Sequence, residues 1–227
     1  FAERMKASEL VPGDVLNRII MYVSSMMEMK SSMGVIVAAP TAGSCGALPG
    51  AVFGVADVLG KSREERIEAM LAAGMIGVFI AAHSTFAAEE GGCMAECGSG
   101  AAMGAAAIVL LMGGSFKQQL GAASMALQSS LGMTCDTLAN RVEAPCLGRN
   151  VTAASNALSS ANMALADYQH LVPFDEVVDA MKQVSDLMPR EICCTGLGGL
   201  ALTPTSKALE EKLARGLGCC GKVEVES

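Results

Sequence analysis

Two apolar runs, 69–82 (AMLAAGMIGVFIAA) and 101–114 (AAMGAAAIVLLMGG), constrain the fold of this chain more than anything else in it. Each spans 14 residues and neither alternates apolar with polar, so neither reads as a half-buried strand. Each also falls short of the roughly 20 residues that cross a bilayer, so both read as buried core helices of a protein outside the membrane. Their Ala and Gly let backbones approach closely, and the Met residues fill irregular gaps. Alternating patterns are almost absent elsewhere. Hydrophobic residues make up 52% of the chain and aromatics only 4%, a composition suited to helices packed at short distance. The expectation is an all-α, compact multi-helix domain over residues 1–227, with glycine-rich loops meeting at a site.

The helices can be placed from their start and stop signals. Residues 8–32 read as a helix entered at Pro12-Gly13-Asp14. Residues 34–39 (GVIVAA) are either a short strand or a buried helical turn, and TAGSCGALPG after Pro40 is a loop. A helix follows from Ala51 to Leu59. Ser62 caps another running to about Ala82, and its acidic first turn suits a helix N-terminus. Residues 83–92 form a polar, glycine-ended junction. Helices are predicted over 94–112, 115–131, 151–168, 174–188 and 205–215, with loops at 132–150 and 196–204.

Composition also limits partners and compartment. A net charge of −7 without a basic stripe argues against a nucleic-acid phosphate backbone. Nine cysteines include the adjacent pairs Cys193–Cys194 and Cys219–Cys220, a spacing unlike a disulfide framework. A cytoplasmic chain with reduced or metal-holding thiols is expected.

Three cysteines stand in glycine-rich or proline-bearing contexts: Cys93 in EEGGCMAE, Cys135 in GMTCDTL and Cys146 in VEAPCLGRN. Cys93 follows Gly91-Gly92 at a helix start, where the helix dipole favours thiolate. Cys135 and Cys146 lie in one predicted loop. By spacing alone the three are either buried free thiols or ligands of an iron–sulfur cluster, three thiolates leaving one iron open to a substrate. Cys97 is either a fourth ligand or a core residue, and Cys45 lines the pocket or the core. TAGSCG (41–46) is either a tight turn or an anion loop, in which Thr and Ser hydroxyls and free N–H groups hold a carboxylate. GLGGL (196–200) lacks the strand and spacing of a dinucleotide loop. His83 is a cap or core histidine, or else a proton-transfer or substrate-binding group. His170 reads as exposed at a helix end. Among the acids near Cys93, Glu96 is the one placed beside the site as a proton carrier or acceptor.

Four motifs together resemble a known family. SMGVIVAAPTAGSCGALPG (32–50), GGCMAECGS (91–99), CDTLANRVEAPCLGRN (135–150) and TGLGGLALTPT (195–205) look like the α-subunit of the iron–sulfur-dependent L-serine dehydratases. The resemblance spans about 170 residues. It implies a [4Fe–4S] cluster held by Cys93, Cys135 and Cys146, with no pyridoxal phosphate. It also implies that Thr41, Ala42, Gly43 and Ser44 lie at the substrate carboxylate. The implied reaction is elimination from L-serine: the open iron acts as Lewis acid on the hydroxyl, a base removes the Cα proton, and pyruvate and ammonia result. Glu96 and His83 are the candidate catalytic residues of this chain. The family's β-subunit, which supplies part of the site, is an expected partner in an oligomeric enzyme, and the family's N-terminal stretch is expected to be missing here.

The sequence departs from the family at several positions. Thr137, Leu138 and Asn140 stand where C-D-P and a glycine are common, Met94 where Gln is frequent, and His83 where Asn is common. Elimination from another β-substituted amino acid, such as cysteine desulfidation, therefore stays open. So does a cluster-free packing module or membrane-associated protein. A fourth-ligand role for Cys219 or Cys220 is also left open.

Overall fold

The computed structural model describes residues 1–139, 143–168 and 170–215, apart from the side chain of Glu143. Ten α-helices are found among them: α1 (Ala2–Lys6), α2 (Asp14–Ser31), α3 (Ala47–Val58), α4 (Arg63–His83), α5 (Ala88–Cys93), α6 (Ser99–Leu111), α7 (Phe116–Gln128), α8 (Glu143–Leu165), α9 (Phe174–Leu187) and α10 (Pro204–Ala214). A π-helical turn, Met94–Gly98, joins α5 to α6. The fold is all-α. Among the described residues there is no strand, and one isolated parallel bridge pairs Cys135 with Cys193.

The apolar run at 101–114 supplies the centre. Every residue of α6 except Leu110 is buried, and α3, α4, α7 and α8 pack around it. Missing side chains set the spacing: a Cβ at Gly100 would meet Ala47 Cβ at 3.2 Å, and one at Gly104 would meet Ala51 Cβ at 3.3 Å. α2 packs on α3 in the same way, Gly50 and Gly54 lying against Val23 and Ile19. Burying such a core stabilises by roughly 25 cal/mol per Å² of apolar surface.

Two helical stretches are long and apolar enough to cross a membrane, Arg63–His83 and Ala88–Leu111. The sequence runs looked too short because each helix continues into more polar residues. The second stretch is 89% buried over its most apolar window, as a core helix is. The first is 28% buried over its window. α4 lays Ala69, Ala73, Ile76 and Ile80 on the core and exposes Leu71, Met75 and Val78.

The capping signal at Ser62 is realised as a reciprocal box, and Ser115 forms a second one. Ser62 Oγ accepts from Glu65 N and Ser115 Oγ from Gln118 N, while each N3 side chain accepts from its cap's N–H. Four expectations are corrected. The helix at 8–32 starts only at Asp14. Residues 34–39 are neither strand nor buried turn, with Val35 95% exposed. α3 begins four residues earlier than expected, because Pro49 sits in its first turn, where a missing N–H costs nothing. For the same reason Pro145 does not stop α8, whose start at Glu143 places Cys146 on a helix rather than in a loop.

Candidate active site

The backbone brings the thiols together by close approach. Gly92 has φ of +62°, and a Cβ there would lie 2.7 Å from Met133 O. Only glycine allows the 133–135 segment to pass so near, and Met94 N then donates to Met133 O at 2.9 Å. Cys135 is held from its other side: its N–H donates to Ile192 O at 2.8 Å and its carbonyl accepts from Cys194 N at 2.7 Å. The π-helical turn follows Cys93 directly and carries Glu96 and Cys97. Such turns are rare and concentrate at functional sites.

Cys93, Cys97, Cys135 and Cys146 are all buried, and the other three thiols lie near enough to Cys93 to stabilise its thiolate. Arg149 Nη1 also approaches Cys93 Sγ at 3.7 Å. These thiols, and then the Arg149 charge, pull the Cys93 thiol far below its ordinary range. Proximity to Cys93, together with burial, pushes Cys97, Cys135 and Cys146 up. A thiolate is thus favoured at Cys93 over its three neighbours. Cys194 adjoins Cys135 from outside this set. Cys45 lies elsewhere, its thiol on Met27 Sδ at 3.8 Å, and burial raises it. Cys193 directs its thiol to Glu90 O. Cys219, Cys220 and Asn140 lie outside the described residues.

The TAGS loop closes over Glu96. Thr41 Oγ1 donates to Glu96 Oε1 at 2.7 Å, and a Cβ at Gly43 would lie 2.5 Å from both carboxylate oxygens. Ser44 is buried, its hydroxyl 3.0 Å from Thr41 Oγ1, while Ala42 is exposed. Burial raises the Glu96 carboxyl, the Thr41 hydrogen bond opposes this, and the Cys93 charge raises it further. A carboxyl biased toward its neutral form beside thiolate is suited to carrying a proton. His83 is placed differently. It is exposed at the end of α4, its ring on Phe79 with centroids 4.5 Å apart. Among the described residues no hydrogen bond joins it to Glu96 or to the cysteines.

Two residues of the GRN stretch hold the parts in place, and sequence reasoning gave neither a role. Asn150 Oδ1 accepts from Gly46 N (3.1 Å) and Ala47 N (2.9 Å), capping α3, while Nδ2 donates to Gly43 O (2.9 Å) and Cys146 O (2.8 Å). Arg149 forms an ion pair with Asp136, which also accepts from Leu200 N at 2.7 Å. Burial works against the Asp136 charge, but the Leu200 and Arg149 donors outweigh it and hold the carboxyl below its ordinary range. Gly199, at φ +59°, packs directly on this carboxylate, so the GLGGL segment borders the site. Had 143–150 been read as helix, the i+3 and i+4 spacing from Cys146 would have put Arg149 and Asn150 beside it.

Among the described residues no group of three or more His, Cys, Asp or Glu side chains is arranged to hold a metal ion as it stands. The pocket offers soft thiol ligands, the type that iron–sulfur clusters take. Thr137 Oγ1 and Ser99 Oγ, each two residues from a pocket cysteine, are buried without a hydrogen-bond partner among the described residues. Buried hydroxyls are usually satisfied, so both are free to donate to an acceptor that is not among the described residues.

The serine dehydratase alpha chain family model matches residues 2–201. The chain belongs to that family. It is 40% identical over 212 residues to the probable L-serine dehydratase alpha chain of Bacillus subtilis, covering 93% of this chain and 71% of the relative. Identity to the corresponding probable alpha chain of Latilactobacillus sakei is 42% over 200 residues, covering 88% and 96%. With the L-serine dehydratase alpha chain of Peptoniphilus asaccharolyticus it is 42% over 207 residues, covering 91% and 71%. The family suggested by the four motifs is therefore the one the comparisons show.

Proposed function

We propose that this chain is the cluster-binding α-subunit of a cytoplasmic L-serine dehydratase, a lyase giving pyruvate and ammonia. One observation carries the reading: the buried thiols of Cys93, Cys135 and Cys146 lie together, and Glu96, three residues after Cys93, accepts from Thr41 of the TAGS loop. Those three thiols are the proposed holders of a [4Fe–4S] cluster, with Cys97 behind them in the core. When bound, such a cluster supplies Lewis acidity at an iron that no cysteine occupies.

The protein's residues divide the remaining work. Arg149 compensates charge on Cys93, and Asp136 fixes the guanidinium in turn. The Ser44 hydroxyl and the N–H groups of Ala42 and Gly43 are the proposed donors for a substrate carboxylate, and Thr41 holds the loop to Glu96. Glu96 holds or moves a proton at its Oε2, its other oxygen accepting from Thr41. His83 is exposed and stacked on Phe79, so a contribution from it is proposed only in an assembly with a partner that covers it. A β-subunit completing the site accounts for the alpha-chain naming of the relatives.

The test is pyruvate release from L-serine by the anaerobically reconstituted chain, with and without a β-partner, and with L-cysteine as the competing substrate. Pyruvate from serine that disappears in Cys93→Ser, Cys135→Ser and Cys146→Ser supports the reading. Turnover unaffected by all three substitutions contradicts it. Sulfide release from cysteine without activity on serine replaces it with the desulfidase.

A further inference from the structure

Lys30 is the group at this site that neither the fold nor the proposed reaction uses. α2 buries Ile19, Val23 and Met27 along one face, and Lys30 continues that face one turn further. Met27 already touches the loop, accepting from Cys45 Sγ at 3.8 Å and lying 3.1 Å from the Cβ position of Gly46. Lys30 Nζ is buried and has no hydrogen-bond partner among the described residues. Its charge favours the thiolate of Cys45, the cysteine of that loop which Met27 contacts.

An ammonium cut off from water is costly unless an anion pairs with it. The nearby acid cannot fill that role well. The Oε1 of Glu96 accepts from Thr41, its carboxylate packs on Gly43, and among the described residues no hydrogen bond joins it to Lys30. A small anion held between Lys30 and the loop of Thr41, Gly43 and Ser44 would satisfy the ammonium.

We propose that Lys30 is the cationic end of the substrate pocket and pairs with the α-carboxylate of a small amino acid, opposite the donors of the TAGS loop. This rests on the serine dehydratase reading and deepens it. The loop supplies neutral donors that orient a carboxylate, and Lys30 supplies the charge that selects one over a neutral amide. Charge-assisted hydrogen bonds are the stronger kind, so the lysine dominates that selection.

The test uses the reconstituted holoenzyme and the variants Lys30→Met, which keeps the stem and removes the charge, and Lys30→Arg, which restores a charge. Two readouts are taken: KM and kcat for L-serine, and the shift in melting temperature caused by L-serine against L-serinamide, in which the carboxylate is an uncharged amide. In the native protein serine should stabilise more than serinamide. In Lys30→Met that preference should vanish and KM should rise about 10- to 100-fold, with iron content unchanged and kcat altered less. Lys30→Arg should recover part of both. Lys30→Met retaining the native KM and the native preference overturns the proposal. So does loss of iron or a fall in unliganded melting temperature in that variant, since either gives the lysine a structural role. Failure of the dehydratase reading looks different: the native holoenzyme makes no pyruvate, while the serine–serinamide comparison still reports on Lys30.

Discussion

Asn150→Ala tests the architecture of the site most sharply, because every hydrogen-bonding position of that side chain is in use. An amide offers two donors and one oxygen with two acceptor sites. Here both acceptor sites take backbone N–H groups at the start of α3, and both donors reach carbonyls, with Asn150 0% exposed. The losses on truncation are unequal. Ala47 N keeps Ser44 O as a partner at 3.1 Å, and Cys146 O lies within α8, where the helix supplies its own donor. Gly46 N and Gly43 O lose the partners they have. Two newly orphaned backbone groups at about 1–3 kcal/mol each give about 2–6 kcal/mol, and water entering the vacated space brings the figure to about 3 kcal/mol. For a urea m-value of about 2–3 kcal/mol/M, the midpoint should fall by about 1–1.5 M. Equilibrium urea unfolding followed by far-UV circular dichroism measures it. Asn150→Asp, which keeps the acceptor but loses both donors, should also be destabilised. A midpoint shift below about 0.3 M for Asn150→Ala at unchanged m would refute the view that this amide ties the TAGS loop to α8.

Other outcomes follow from the same contacts. Gly92→Ala meets both a positive φ and Met133 O at 2.7 Å, so it should separate the Cys93 and Cys135 segments and lower iron retention more than Gly60→Ala, whose added Cβ meets open space; equal retention in the two contradicts the close-approach argument. Glu96 carries a raised folded pKa, so its favourable contribution is complete below the unfolded value of about 4.3 and is lost as pH rises through the folded value. Glu96→Gln should therefore raise the melting temperature relative to the native chain more at pH 8 than at pH 5; a pH-independent difference rules this out. Asp136 has the opposite sign, since its folded pKa is lowered. Its stabilising effect should be full above about pH 4 and decline as pH falls through the folded value, so Asp136→Asn should cost stability at pH 7 and progressively less under acid. A loss independent of pH contradicts it.

The parts of the fold written in local chemistry were legible in the sequence. Ser62 with Glu65 and Ser115 with Gln118 announce helix starts three residues apart, and the Ala/Gly/Met runs announce a core helix before any contact is known. Proline misled twice, at Pro49 and Pro145, because the same residue that breaks a helix interior is welcome in its first turn. The second misreading hid the face shared by Cys146, Arg149 and Asn150. GVIVAA looked buried because its residues are apolar, yet Val35 and Val37 are exposed, and composition alone does not show which apolar segments find a neighbour. The convergence of the three cysteines was legible only through the motifs around them. Spacing cannot report that Gly92 lets residues 133–135 pass within contact distance, or that a bridge to Cys193 pins Cys135.

The central claim is that three of the buried thiols hold an iron–sulfur cluster. Its most direct measurement is the iron and acid-labile sulfide content of the anaerobically reconstituted chain, read beside its visible absorption, for the native protein and for Cys93→Ser, Cys135→Ser and Cys146→Ser. The account predicts about four iron and about four sulfide per native chain, with the broad absorption of sulfide-to-iron charge transfer, and loss of both in each variant. A colourless native chain without bound iron and sulfide after reconstitution would contradict it.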